Sequence, residues 1–152
     1  MKLIFVCLVL VSWGAFAACP NLAGHYLVCR SQNNILIEST DLHVEQSLGT
    51  DGHEHFDISF LQDGTIDRQG YELIANQMAV TESWVSDTGV QFVGVTTTSC
   101  SENVLLLESV ITADGQPWKI EHNRVTRQGD AMIQVAEGTV GSLRFRDTLT
   151  CR

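Results

Sequence analysis

The chain has 152 residues, 44% of them hydrophobic, so it is long enough for one domain with a real core. It carries 18 acidic against 9 basic side chains, a net charge of −9. The acids are scattered rather than gathered in a tail, and there is no basic stripe, which argues against a nucleic-acid partner and for simple solubility through repulsion.

Residues 3–12, "LIFVCLVLVS", form an apolar run behind Lys2. That is the h-region of an export signal and is too short to span a bilayer. Ala15 and Ala17 are the small residues expected before a cut at Ala18, so residues 1–17 are assigned to a signal peptide and 18–152 to one domain. Cleavage removes Lys2 and leaves 18 acids against 8 bases, a net −10. No later run reaches the roughly 18 apolar residues of a membrane helix, so the mature protein is expected to be exported, periplasmic or extracellular, with no transmembrane span.

Cleavage also removes Cys7 and leaves Cys19, Cys29, Cys100 and Cys151. An even number in an oxidising compartment implies two disulfides. The rival reading takes "FAAC" as a lipobox with Cys19 acylated, which would strand one of the other three thiols.

The elements expected in chain order are short strands. "GHYLVCR" (24–30) is followed by the turn "SQNN"; "ILIES" and "LHVEQSL" are one bent strand or a tight pair. "HFDISF" (55–60) ends at "LQDGT" (61–65), and "YELIA" (71–75) and "MAVTESWV" (78–85) flank Asn76-Gln77. Then come "VQFVGVTTTSC" (90–100), "VLLLESVIT" (104–112), "PWKIEHNRVTR" (117–127), "AMIQVAEGTV" (131–140) and "SLRFRDTLTC" (142–151). Val, Ile, Thr and aromatics fill these runs, and Gly, Asp and Asn fill the gaps, as strands and tight turns require. In "PWKIEHNRV", Trp118, Ile120 and His122 share one face and Lys119, Glu121 and Asn123 the other. In "LRFRDTL", Leu143, Phe145 and Leu149 oppose Arg144, Arg146 and Thr148. One face is expected to be dry and the other wet.

Eight to twelve short strands joined by short turns make an antiparallel meander. An open sheet of that size leaves two edges, and closing it removes them, so the expected fold is all-β, an up-and-down barrel. A two-sheet sandwich is the alternative.

"NLAGHY", just after the signal, resembles the Gly-x-Trp opening of lipocalin-type (calycin) barrels, with Tyr26 where those families have Trp. "CPNLAGHY" (19–26) is similar to the start of avidin-like chains. "YELIANQMAVTESWV" and "TTTSCSENVLLLESVITADGQ" resemble small exported bacterial lipocalin-like proteins. The resemblance implies a barrel that holds a small apolar or amphipathic ligand. It also implies an arginine near the end that packs across the first-strand aromatic. Arg144 or Arg146 would fill that part, although their alternation with Phe145 points them outward.

"DGHEH" (51–55) is the one metal-like cluster, but His53 and His55 lack a third convergent ligand, so no metal or other cofactor is expected. His25 and His43 stand alone. No Gly-x-Ser-x-Gly elbow or other catalytic frame is present, and the chain is read as a non-catalytic binder. If the barrel holds a cavity, Trp84, Phe92 and Trp118 are its expected walls and His122 its polar group. An interaction module of the cell envelope with a filled barrel is the alternative. Strand direction permits Cys100–Cys151 with Cys19–Cys29, or Cys19–Cys151 with Cys29–Cys100; four cysteines allow three pairings.

Overall fold

The computed structural model describes residues 18–36, 38–62, 65–66 and 70–152. The proposed signal segment 1–17 and the Asp63-Gly64 part of the expected turn lie outside them. The strands are β1 Gly24–Ser31, β2 Ser39–Leu48, β3 Glu54–Gln62, β4 Thr65–Ile66, β5 Tyr71–Ile74, β6 Ala79–Val85, β7 Gln91–Ser101, β8 Val104–Ala113, β9 Gln116–Gln128, β10 Ala131–Val140 and β11 Leu143–Cys151. "ILIES" contributes only its end to β2, while the last five strands fall within one residue of the expected runs.

All pairings are antiparallel, in the order β4-β3-β2-β1-β11-β10-β9-β8-β7-β6, with β5 also on β3. Two-residue turns with positive φ, such as Glu102-Asn103 (51° and 62°), join neighbours in the hairpin geometry that matches strand twist. The first and last strands meet, since Cys29 stands opposite Cys151 across β1 and β11.

The result is a curled half-barrel. β5 and β6 are consecutive in the chain, separated by residues 75–78, yet each pairs with the strand on its far side. Where this link crosses from one sheet end to the other, Gln77 N–H donates to Thr98 O at 2.9 Å. Beyond that point the wall stays open among the described residues, because β5 has only four residues and β6 is exposed along its whole length. The sequence-level expectation of a sealed tube thus reaches the meander and its curl, and the short β5 is where the ladder stops.

The core lies inside the curl, at the end where β1 begins. Tyr26, Phe56, Leu105, Val44 and Leu149 are buried there. Residues 18–23 pass beneath it as a floor: Leu22 N–H donates to Gln46 Oε1 (2.8 Å), Tyr26 hydroxyl to Leu22 O (2.8 Å) and Arg127 Nη1 to Ala23 O (2.8 Å). Burial of the Tyr26 ring pushes its phenol pKa up, against the lowering pull of the nearby Arg127 charge. The arginine beside this aromatic is therefore Arg127 on β9. Arg144 and Arg146 line a groove on the outer wall instead.

The disulfides are Cys19–Cys100 and Cys29–Cys151. This is the third pairing, which direction alone did not single out. In β1 the alternation slips: Leu27 and Val28 are both exposed, and Tyr26 and Cys29 on either side are buried. That slip turns Cys29 toward Cys151, with 4.0 Å between their Cα atoms. Cys19 then pins the floor segment to the end of β7. Two disulfides fit an oxidising environment, and a cysteine so paired has no thiol left for acylation. Among the described residues no helix is long and apolar enough to cross a membrane.

Candidate functional site

The curl encloses a cavity of about 570 Å³, within the range of small-molecule sites. Its walls come from alternate residues of facing strands: Leu42 and Val44 of β2, Phe56, Ile58 and Phe60 of β3, Leu105 and Leu107 of β8, Val125 of β9, Met132 of β10 and Leu149 of β11. Leu22 closes the floor. Tyr71 and Leu73 of β5, and Ile35 and Leu36 of the loop after β1, close the sides.

That loop is held by one buried carboxylate. Asp147, 1% exposed, accepts the Ser31 hydroxyl and the N–H groups of Asn33, Ile35 and Leu36, the last three at 2.8–2.9 Å. Burial disfavours its charge, but these donors outweigh burial and hold its pKa far below the ordinary carboxylate range. Asp147 thus fixes Ile35 and Leu36 against the cavity. Nothing in "LRFRDTL" signals this role, since the acid sits on the face of Leu149 and reads as a break in the dry pattern.

The polar part of the wall reverses the sequence reading of β9. Lys119 and Glu121 line the cavity, whereas Ile120 and His122 line the outer groove with Glu137, Thr139, Arg144 and Arg146. The inner polar side chains form a chain: Gln134 Nε2 donates to Asn123 Oδ1 (2.8 Å), Asn123 Nδ2 to Glu121 Oε1 (3.1 Å), and Lys119 pairs with Glu121 Oε2. The Lys119 ammonium also stands 5.4 Å from the centroid of the Phe145 ring. Gly138 permits this arrangement, because a Cβ there would lie 1.9 Å from Ile120 O, so only glycine lets β9 and β10 approach so closely.

The three aromatics expected to wall the cavity are brought together, but elsewhere. Trp84 stacks on Phe92 (5.5 Å between centroids), and Phe92 meets Trp118 edge-on (5.0 Å). A register shift at Ile111/Thr112 accounts for Trp118: it is the extra residue opposite that step, so it leaves the alternation of Ile120 and His122 and turns toward Phe92. The trio lies on the open part of the sheet, with Trp84 42% and Trp118 39% exposed, outside the residues lining the cavity. His122 lies on the outer wall, 3.5 Å from Glu108.

The "DGHEH" cluster organises β3 and β5. His55 Nδ1 meets Glu72 Oε1 at 2.6 Å and Nε2 meets Asp51 at 3.1 Å, and these hydrogen bonds, Glu72 first, raise the His55 pKa. His25 and His43 stand edge-on at 6.1 Å, each beside a carboxylate, Asp41 and Glu45. Among the described residues no group of three or more His, Cys, Asp or Glu is placed to hold a metal ion.

Comparison with family models, curated proteins and solved structures gives no match for this chain.

Proposed function

We propose that this is an exported, lipocalin-like container that takes a small hydrophobic or amphipathic molecule into its curl without chemical change. The observation that carries the reading is the cavity itself. It is about 570 Å³, its lining is mostly apolar, and its only charged lining side chains among the described residues are Lys119 and Glu121. Burial of apolar ligand area would supply about 25 cal/mol per Å². A wall completed around the ligand at the β5–β6 seam would give the barrel its closed form.

The test is calorimetric titration with a hydrophobic dye and a set of alkanols. Intrinsic tryptophan emission is the wrong reporter, because Trp84 and Trp118 lie outside the cavity. Leu105, 1% exposed at the cavity wall, gives the control. Leu105→Trp should fill space and weaken binding at least tenfold. Absence of binding by every probe in the unmodified protein would end the reading.

A second reading, docking to an envelope protein, is favoured by β6, whose seven residues are all exposed at a sheet edge that could accept another strand. A Val80→Pro substitution on that edge should abolish capture of such a partner and leave dye binding intact.

A further inference from the structure

We infer that the cavity is built for a single-chain amphiphile with an anionic head group, which Lys119 holds. This deepens the container reading and rests on it.

The inference comes from counting donors and acceptors along the inner polar chain. Gln134 donates to Asn123, Asn123 donates to Glu121 Oε1, and Lys119 satisfies Glu121 Oε2. Both carboxylate oxygens therefore already have a donor. A lysine ammonium has three N–H groups and no acceptor. Only one of the three is engaged by Glu121, and no other hydrogen-bond partner of Lys119 is present among the described residues. The chain thus ends on unused donors that carry positive charge, at the wall of an apolar space.

Glu121 is the more buried of the pair, its side chain 12% exposed against 26% for Lys119, so an ammonium head group would have to reach the less accessible partner. A carboxylate head would meet free N–H groups instead, and such charge-assisted hydrogen bonds are the stronger kind. Position fits as well. Lys119 and the deep wall residue Val125 stand on the same face of β9, six residues apart, or about 20 Å along the strand. A straight hydrocarbon tail can lie along that length with its head beside Lys119. The Phe145 ring lies beside the ammonium, within cation–π range.

The experiment is competition against a bound hydrophobic dye by dodecanoate, dodecanol and dodecylammonium, each below its micelle concentration, at neutral pH and low salt. Dodecanoate should displace the dye about fivefold more effectively than dodecanol, the gain a partly exposed ion pair supplies, and dodecylammonium should be the weakest. In Lys119→Met the ratio of dodecanoate to dodecanol should fall to about one. Lys119→Arg should restore it, and Glu121→Gln, which frees the ammonium, should raise it. Equal displacement by dodecanoate and dodecanol in the unmodified protein, or preference for dodecylammonium, overturns the head-group assignment and leaves the container standing. Displacement by none of the three removes both.

Discussion

Removal of each disulfide in turn tests the view that the bridges stabilise mainly through the unfolded chain. The closed loops span 81 residues for Cys19–Cys100 and 122 for Cys29–Cys151. The chain-entropy relation gives about 4.5 kcal/mol for the first and about 4.9 kcal/mol for the second at 25 °C. Loop length alone therefore separates them by only about 0.4 kcal/mol. The native state adds to that gap. Cys29 and Cys151 are fully buried, so alanines there leave a void in the core, whereas Cys19 and Cys100 sit half-buried at the floor. The floor segment also keeps its hydrogen bonds to Gln46, Tyr26 and Arg127 after its bridge is gone. Urea unfolding of Cys19→Ala/Cys100→Ala and Cys29→Ala/Cys151→Ala, read by far-ultraviolet dichroism, should thus show losses of about 2–5 kcal/mol each, with the second pair the larger. The reverse order refutes the reasoning. It would mean that the Cys19 tether holds native structure which the floor hydrogen bonds cannot hold alone.

Other perturbations address the carboxylate, the histidine and the glycine. Asp147→Asn puts an amide donor among donors, so it should unfold at lower urea than the parent at pH 7; because the native pKa of Asp147 is depressed, the difference should narrow as pH falls below about 4, and a gap constant from pH 7 to 3 would contradict the assignment. His55, its pKa raised by Glu72 and Asp51, contributes stability that is complete below the ordinary value of about 6.5 and is lost as pH rises through the raised one. Amide exchange of β5 should accelerate over that window, and a ring titration by NMR at or below 6.5 would defeat the claim. Gly138→Ala should cost about 1–3 kcal/mol by forcing β9 and β10 apart, and loss of the Lys119–Glu121 pair in NMR spectra should accompany it.

The strands were legible because period-two alternation and turn residues are local properties, and "AMIQVAEGTV" coincides with β10 residue for residue. Connectivity was less so. Cys29 faces Cys151 only because β1 slips between Tyr26 and Cys29, and no residue there marks a bulge as glycine would. The Asp147 anchor depends on backbone N–H groups of a loop more than a hundred residues earlier in the chain, so local pattern could not show it.

β9 is the more instructive case, because alternation tells which residues share a face and never which face is inside. Hydrophobicity normally settles that, and it points Trp118, Ile120 and His122 inward. It fails here for two physical reasons. Ile120 continues a row of apolar residues, with Val95 and Val110, across the outer face of β7, β8 and β9, where all three stay partly exposed. The bulge then detaches Trp118 from its alternation partners and commits it to Phe92. With Ile120 and His122 on the outer wall, Lys119 and Glu121 are left facing the cavity, where charges persist only if paired and hydrogen-bonded, and Asn123 and Gln134 supply that support. A paired charge set against an apolar chamber, kept in place by a glycine that tolerates no Cβ, is a local departure from what stability alone would select. Departures of that kind concentrate where a protein meets its ligand, which is why the Lys119 end of the chain, rather than the tryptophans, is the place to look for one.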